Sequence, residues 1–288
     1  MGKTLVKNKA VPYLLILPAF AMICLFKLYP IFQTLLEGVY VKGQFSLDTY
    51  KTVFSDSTFW NSLWVTVKIN LVMIPFQITL SFVLAMLVNV RIKGIGIFRT
   101  FFYLPFTISL TVATILWSMI FNNNNGIINS LFGAMGIPAQ GFLIDAKQAL
   151  WCIVIIASWK GCGYWMMFLL AALKNIDDSI YESAKIDGAG FFKTIFAITI
   201  PLIKKVLLFV MVANTTANIL LFVPMQLITK GGPERSTNVL MYEAYQSAFK
   251  YGNRPRSAVM VTVLLFLIIM ICLIQFRLMN EKEEKGGK

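Results

Sequence analysis

Long apolar runs alternate with short polar connections along the whole chain. A hydrocarbon core of about 30 Å needs roughly 20 apolar residues in helical form. Six stretches reach that length, at about 11–35, 61–90, 99–121, 150–173, 202–224 and 257–278. Residues 69–90, 206–229 and 257–276 carry no charge at all. Lipid offers no partner to backbone N–H and C=O groups, so these runs must be helices. The pattern predicts an all-α, polytopic membrane protein, with six transmembrane helices in a single membrane domain over 1–288.

The connections are patterned too. In 37–60, Phe45-Ser46-Leu47-Asp48-Thr49-Tyr50 predicts an interfacial helix capped by Ser46. Residues 122–148 open with four asparagines and Gly126, a turn signal. Thr229-Lys230-Gly231-Gly232-Pro233 predicts a tight turn within 225–256. The charged tail, 279–288, is expected to be disordered. The segment 177–201 is a polar helix–turn–helix between two apolar runs. Ile176, Ile180, Ala184 and Ile186 give it an apolar face, while Asp177, Asp178, Glu182, Lys185 and Asp187 are polar. Asp187-Gly188 allows a sharp turn, and Ala184, Gly188 and Ala189 let another surface approach the backbone closely. On these grounds it reads equally as a docking element or as an ordinary amphipathic loop.

Composition agrees with the membrane reading. Hydrophobic residues make up 58% of the 288 positions and charged residues 14%, a balance foreign to soluble domains of this size. The net charge of +13 does not imply nucleic acid, because membrane proteins concentrate Lys and Arg in cytoplasmic loops. With the N-terminus inside, 15 of the 26 basic residues fall on the inside connections. Both termini are therefore expected to be cytoplasmic. The apolar run from Val11 has no small-residue cleavage site and is expected to be a retained anchor.

Several chemistries are excluded. The chain has no histidine, so a His-based metal site or proton relay is ruled out. Cys24, Cys152, Cys162 and Cys272 are widely spaced in apolar runs and read as small packing residues. Gly188-Ala189-Gly190-Phe191-Phe192-Lys193-Thr194 lacks the glycine before lysine that a phosphate loop needs. Gly94-Ile95-Gly96 is a turn. No internal repeat is visible, and no paired carboxylates sit in a plausible cavity. The chain carries no catalytic machinery of its own; it is expected not to be an enzyme and to hold no cofactor or metal.

The run Glu182-Ser183-Ala184, Asp187-Gly188-Ala189 and Pro201 resembles the EAA signature of permease subunits in bacterial binding-protein-dependent ABC importers. Ser183 stands where the motif usually has Ala. The likeness extends over nearly the whole chain. Leu47-Asp48 with Tyr50, Phe59-Trp60-Asn61, Arg99 followed by Leu104-Pro105, Gly126-Ile127-Ile128-Asn129 and Thr229-Lys230-Gly231-Gly232-Pro233 resemble the maltose- and multiple-sugar-type permeases. Asn253-Arg254-Pro255-Arg256 departs, since relatives tend to have small residues before the last helix.

The resemblance implies a second, related permease subunit, two ATPase subunits that hold ATP and Mg, and an extracytoplasmic solute-binding protein. It implies that Glu182, Ser183, Ala184, Asp187, Gly188 and Ala189 form a coupling helix seated on one ATPase. It implies that Lys230, Gly231, Gly232 and Pro233 reach the binding protein. The transported solute is then a sugar, an oligosaccharide by the branch resembled, carried through the bacterial inner membrane by alternating access.

In this family the substrate site is implied on the spans flanking the coupling segment. Asn214 and Asn218 share one helical face, and their amides suit sugar hydroxyls or, equally, interhelical hydrogen bonds. Lys160, Gly161, Trp159 and Tyr164 are the matching candidates on the preceding span. Lys160 at mid-span is a functional candidate by default, or a partner for a backbone carbonyl or the other subunit. The aromatic rings would stack on a sugar or pack helices. Two rivals stay open: a permease of the same type for glycerol phosphate, and a stand-alone secondary carrier. The carrier would need membrane carboxylates that these spans essentially lack.

Overall fold

The structure, a computed structural model, describes residues 11–41 and 43–286. The N-terminal lysines Lys3, Lys7 and Lys9 lie outside them. The first helix, α1 (Val11–Ile23), passes through a π turn at Cys24–Leu28 into α2 (Tyr29–Val39). A short antiparallel hairpin, β1 (Tyr40–Val41) and β2 (Gln44–Phe45), leads to α3 (Asp48–Phe54). Next come α4 (Ser57–Val88), α5 (Ile95–Thr107), α6 (Leu110–Ile120) and α7 (Ile127–Ala134). These are followed by α8 (Ala149–Lys174), α9 (Asp178–Ile186) and α10 (Phe191–Lys193). A π turn at Thr194–Thr199 joins α10 to α11 (Ile200–Leu202). The chain ends with α12 (Lys204–Ile219), α13 (Leu240–Tyr245) and α14 (Arg254–Gly286). Among the described residues the fold is all-α apart from the hairpin.

Among the described residues, four helices are long and apolar enough to cross a membrane: Tyr13–Val39, Ser57–Val88, Ala149–Lys174 and Arg254–Leu278. Two more candidates are bent pairs. Ile95–Thr107 and Leu110–Ile120 meet at 98°, and Phe191–Leu202 and Lys204–Ile219 at 77°. The apolar runs at 99–121 and 202–224 thus correspond to broken helices, which hydropathy alone does not distinguish from straight ones. The second pair begins well before the apolar run and its helix ends at Ile219. The π turns at Cys24–Leu28 and Thr194–Thr199 share a local cause. Pro30 and Pro201 have no N–H, and just ahead of each the ladder widens, with Tyr29 N–H bonding Cys24 O and Ile200 N–H bonding Ile195 O. At the other end of the chain, α14 keeps its backbone helical through most of the tail expected to be disordered, because Glu and Lys are good helix formers. Residues 287 and 288 of that tail lie outside the described ones.

The chain divides into two compact units: one built from residues up to Asp56 with Ala244–Val263, the other from Ser57–Glu243 with Leu264 onward. In the first, the Ser46 hydroxyl accepts from Asp48 N–H (3.0 Å) and donates to the Asp48 carboxylate (2.7 Å). Ser46 therefore makes the capping bond from one position before the N-cap, Leu47. The Asp48 carboxyl is held below its ordinary range by that hydroxyl and then by Lys51. The departure before the last helix also has a use here. Asn253 Oδ1 caps Arg256 N–H (3.1 Å), and the Arg256 guanidinium pairs with Asp56 at 2.6 Å.

The second unit is centred on α4 and α8. Ala85 and Val88 of α4 pack with Met166, Leu169 and Leu173 of α8 and with Val210 of α12. Gly163 brings α5 and α8 into backbone contact: a Cβ there would lie 1.9 Å from Phe102 O. Many large apolar side chains face outward, Phe101 and Phe209 among them, as a hydrocarbon surrounding requires.

Candidate functional site

Three polar constructions stand out in the second unit. The first lies inside the helix bundle. Asn214 and Asn218, on one face of α12, are both buried. Each donates from Nδ2 to a single acceptor, Gln77 Oε1 on α4, at 2.6 and 2.9 Å, and Asn218 Nδ2 also reaches Asn214 Oδ1 at 3.0 Å. Next along α12, Thr215 accepts a 2.7 Å bond from Gln275 Nε2 of α14. Asn70, two helical turns before Gln77, donates to Thr66 O at 2.8 Å. Within this chain the two asparagines are thus engaged with Gln77 and with each other. Sequence reading missed Gln77, Asn70 and Gln275. The signal was there, since each is an amide inside an uncharged apolar run.

The second construction is at the break between α5 and α6. Lys160 Nζ donates to Phe106 O (3.0 Å) and Ile108 O (2.8 Å) and lies 5.1 Å from the Phe106 ring centre. The last carbonyls of a helix have no intrahelical donor. In a membrane interior they must find one, and the ammonium supplies it. Ser109 accepts from Val112 N–H (3.2 Å) and starts α6. Tyr164, one turn on from Lys160, stacks on Phe106 with ring centres 4.2 Å apart. Trp159 meets Trp117 of α6 edge-on at 5.6 Å, and a Cβ on Gly161 would meet Trp165 Nε1 at 3.8 Å. Of the roles open for Lys160, the carbonyl partner is the one the geometry realises within the chain.

The third construction is the polar element α9. The Asp177 carboxylate caps it by accepting from Ser179 N–H at 3.2 Å. At its other end Gly188 has φ +70°, Gly188 N–H bonds Lys185 O (3.1 Å) and Ala189 N–H bonds Ala184 O (2.9 Å). This pair of bonds, closed by a left-handed glycine, is the Schellman arrangement. Ala184 is buried beneath the helix, while Glu182, Ser183, Asp187 and Gly188 are exposed, and Ile186 is 86% exposed. Arg91, beyond α4, pairs with Asp178 at 2.5 Å. Tyr181 Oη lies 3.3 Å from Thr199 Oγ1. The result is a short helix closed at both ends, tied back to the bundle and bare on its outer face.

The Lys230–Pro233 turn is bound into its surroundings. Lys230 (φ +50°) and Gly231 (φ +82°) are both left-handed, and Gly232–Pro233 is cis. Thr237 Oγ1 donates to Gly232 O at 2.8 Å, and Gly232 N–H bonds Thr229 O at 2.9 Å. Lys230 is exposed but Gly231 is buried against Tyr242 and Asn238. Lys230 is the member of the four that projects most freely.

Residues 77–282 match the family described as binding-protein-dependent transport system inner membrane component. The lactose transport system permease protein of Rhizobium radiobacter is 35% identical over 92% of this chain and 91% of its own length. The sn-glycerol-3-phosphate transport system permease protein of Shigella flexneri is 32% identical over 96% of each. A bacterial ABC transporter that imports the acidic polysaccharide alginate shares the fold, with a TM-score of 0.84 at 20% identity, covering 96% of this chain and 97% of that one. A lone carrier with its own ion path does not match this pattern. The chain belongs to the inner membrane components of binding-protein-dependent transport systems.

Proposed function

We propose that this chain is one of two membrane subunits of an ATP-driven importer for a neutral sugar, an oligosaccharide in the first instance. The carrying observation is α9, a short helix closed at both ends and bare on one face, in a member of this transport family. It is the right kind of element to seat in a groove of a partner ATPase, which would hold ATP and Mg. Being closed at both ends, it moves as a unit when that partner moves. The buried Ala184 and the Tyr181–Thr199 contact link such motion to the bundle. In this reading both termini are cytoplasmic, and Lys230 lies on the opposite side, facing the solute-binding protein.

The lactose relative supports a sugar as cargo. The glycerol phosphate relative supports the rival, in which a cation would be needed for the phosphate. Lys160 already spends two of its three donors on backbone carbonyls, which favours the neutral solute. The test is uptake and ATPase activity of the reconstituted complex. Binding protein loaded with a panel of oligosaccharides and glycerol phosphates is the challenge. Stimulation by an oligosaccharide supports the reading. A response confined to phosphorylated solutes replaces the cargo and returns Lys160 to the role of anion ligand.

A further inference from the structure

A groove of about 720 Å³ lies between the end of α4 and the helical segment Phe191–Leu202, both in the second unit. One wall is a single face of α4, with Ile78, Phe82, Val83, Met86 and Leu87, and with Val90 just past the helix end. The other wall is Phe191, Phe192, Ile195, Phe196 and Ile200, joined by Leu207 of α12. Among the described residues, Thr79 is the only polar one in the lining. Leu87 is 62% exposed and Phe192 73%, so the groove stands open to whatever surrounds the helices. Phe191 and Ile195 also line a small cavity of about 150 Å³ beside Tyr181 and Thr199, where α9 is tied to the bundle.

Dimensions narrow what fits. A hydrocarbon core of about 30 Å gives each leaflet about 15 Å. From Ile78 to the end of α4 at Val88 the apolar stripe rises about 15 Å, at about 1.5 Å per residue. The groove is therefore one leaflet long. A membrane-crossing helix of a partner needs a seat about twice that length, whereas one phospholipid tail fits. The segment Phe191–Leu202 is bent by 77° from Lys204–Ile219, so it runs across that span, as a helix lying at a membrane surface does.

Charge narrows it further. The stretches that build the groove, 78–99 and 190–207, carry six basic residues and no Asp or Glu. Two of the six are engaged: Arg91 pairs with Asp178 of α9, and Arg99 Nη2 donates to Val88 O at 2.8 Å. Lys93, Lys193, Lys204 and Lys205 form no ion pair among the described residues. Lys93 follows the α4 wall, Lys193 is the neighbour of Phe192, and both are exposed. Lipid tails are as apolar as the groove, so its walls favour no lipid over another. The headgroup decides, and an unpaired basic rim selects a negative one.

We propose that this groove holds one tail of an anionic phospholipid, with Lys93 and Lys193 at its phosphate. The site depends on neither the cargo nor the docking of the ATPase, so its failure leaves the proposed function intact.

The test uses the reconstituted complex in phosphatidylcholine vesicles. These contain a trace of phosphatidylglycerol or phosphatidylcholine with the same photoactivatable tail. The measured quantity is labelling of peptides within 78–90 and 191–200, as a fraction of all labelling of the chain. Phosphatidylglycerol should exceed phosphatidylcholine by at least about fivefold, the effect of one basic side chain near an anionic headgroup. Lys93→Gln with Lys193→Gln should bring that ratio close to one and leave phosphatidylcholine labelling unchanged. If this pair fails to assemble, unlabelled phosphatidylglycerol should displace the label from the unaltered complex at concentrations where phosphatidylcholine does not. Equal labelling by the two probes in the unaltered complex would make the groove ordinary boundary surface. No labelling there by either probe would mean that a partner protein covers it. A preference kept by the double variant would remove the two lysines from the site.

Discussion

The α9 element and the Gln77–Asn214–Asn218 group are both polar constructions in one unit of the chain, but they are built in opposite ways. Residues closing α9 are neighbours in sequence: Asp177 caps it two residues from its bond partner, and Gly188 and Ala189 return to Lys185 and Ala184. The amide group joins positions more than a hundred residues apart, from Gln77 to Asn214 and Asn218. The first depends on backbone conformation and stays exposed. The second depends on helix packing and is fully buried. A surface that must be gripped by another protein can be encoded locally. An interior polar site in a membrane protein needs several helices to supply both halves of each hydrogen bond.

The largest expected effect breaks the first construction through its backbone alone. Gly188 has φ +70° and open space around its would-be Cβ, so a substitution there tests conformation rather than crowding within the chain. Gly188→Val forces a β-branched residue into the left-handed region, at about 1–2 kcal/mol or more. Sugar uptake should fall by at least about tenfold while the helices insert normally and ATP hydrolysis continues uncoupled. Gly188→Asn, which tolerates that conformation, should retain most of the uptake. Equal loss in both variants would mean that a partner packs against the glycine itself. Normal uptake by Gly188→Val would remove α9 from the coupling role.

Next in size is Lys160→Met. It strips a charged donor from Phe106 O and Ile108 O at the α5–α6 break, where each such bond is worth about 1.5–3 kcal/mol. Thermal unfolding in detergent should show a loss of about 3 kcal/mol or more, with Lys160→Arg partly restoring it. A variant as stable as the parent but blind to phosphorylated solutes would make Lys160 a ligand instead.

How legible these features are from sequence follows the same division. The helix and turn over Glu182 through Ala189 could be read directly, because glycine after a short amphipathic helix is a local signal, whereas the docking role expected of them came only from the resemblance. Asn214 and Asn218 could be placed on one face from their spacing, but their partner could not be named. Gln77 is simply one amide in an apolar run, and no local rule ties it to α12. The six apolar runs were countable, yet the break at Ile108–Ser109 was not, because Lys160, the group that stabilises it, lies on another helix. Pro105 was visible inside one of those runs and Pro201 just ahead of another, but proline is tolerated in membrane helices when neighbours satisfy the freed groups. The helical tail of α14 follows propensity, where charge had suggested disorder.

The amide group itself gives a prediction of intermediate size. Gln77→Leu removes the acceptor shared by Asn214 and Asn218 and should destabilise the chain by about 2 kcal/mol, since two buried donors lose a partner. Adding Asn214→Leu should cost less than it does alone, with a coupling energy of about 1 kcal/mol between the two positions. Additive effects would separate Gln77 from the asparagines and leave the latter free for another ligand.

The smallest expected effect concerns the link between α9 and the rest. The Arg91–Asp178 pair is short, at 2.5 Å, but its side chains are 89% and 61% exposed. Exposed pairs of this kind contribute about 0–1 kcal/mol and weaken further with salt. Arg91→Gln should therefore change unfolding by less than about 0.5 kcal/mol. Uptake carries the more informative reading. If α9 transmits motion through its closed backbone and the buried Ala184, Arg91→Gln should leave uptake within about twofold of the parent. A loss comparable to that of Gly188→Val, with stability unchanged, would show that the ion pair itself carries the motion. The comparison would then shift: the local element would depend, as the amide group does, on a residue from a distant part of the sequence.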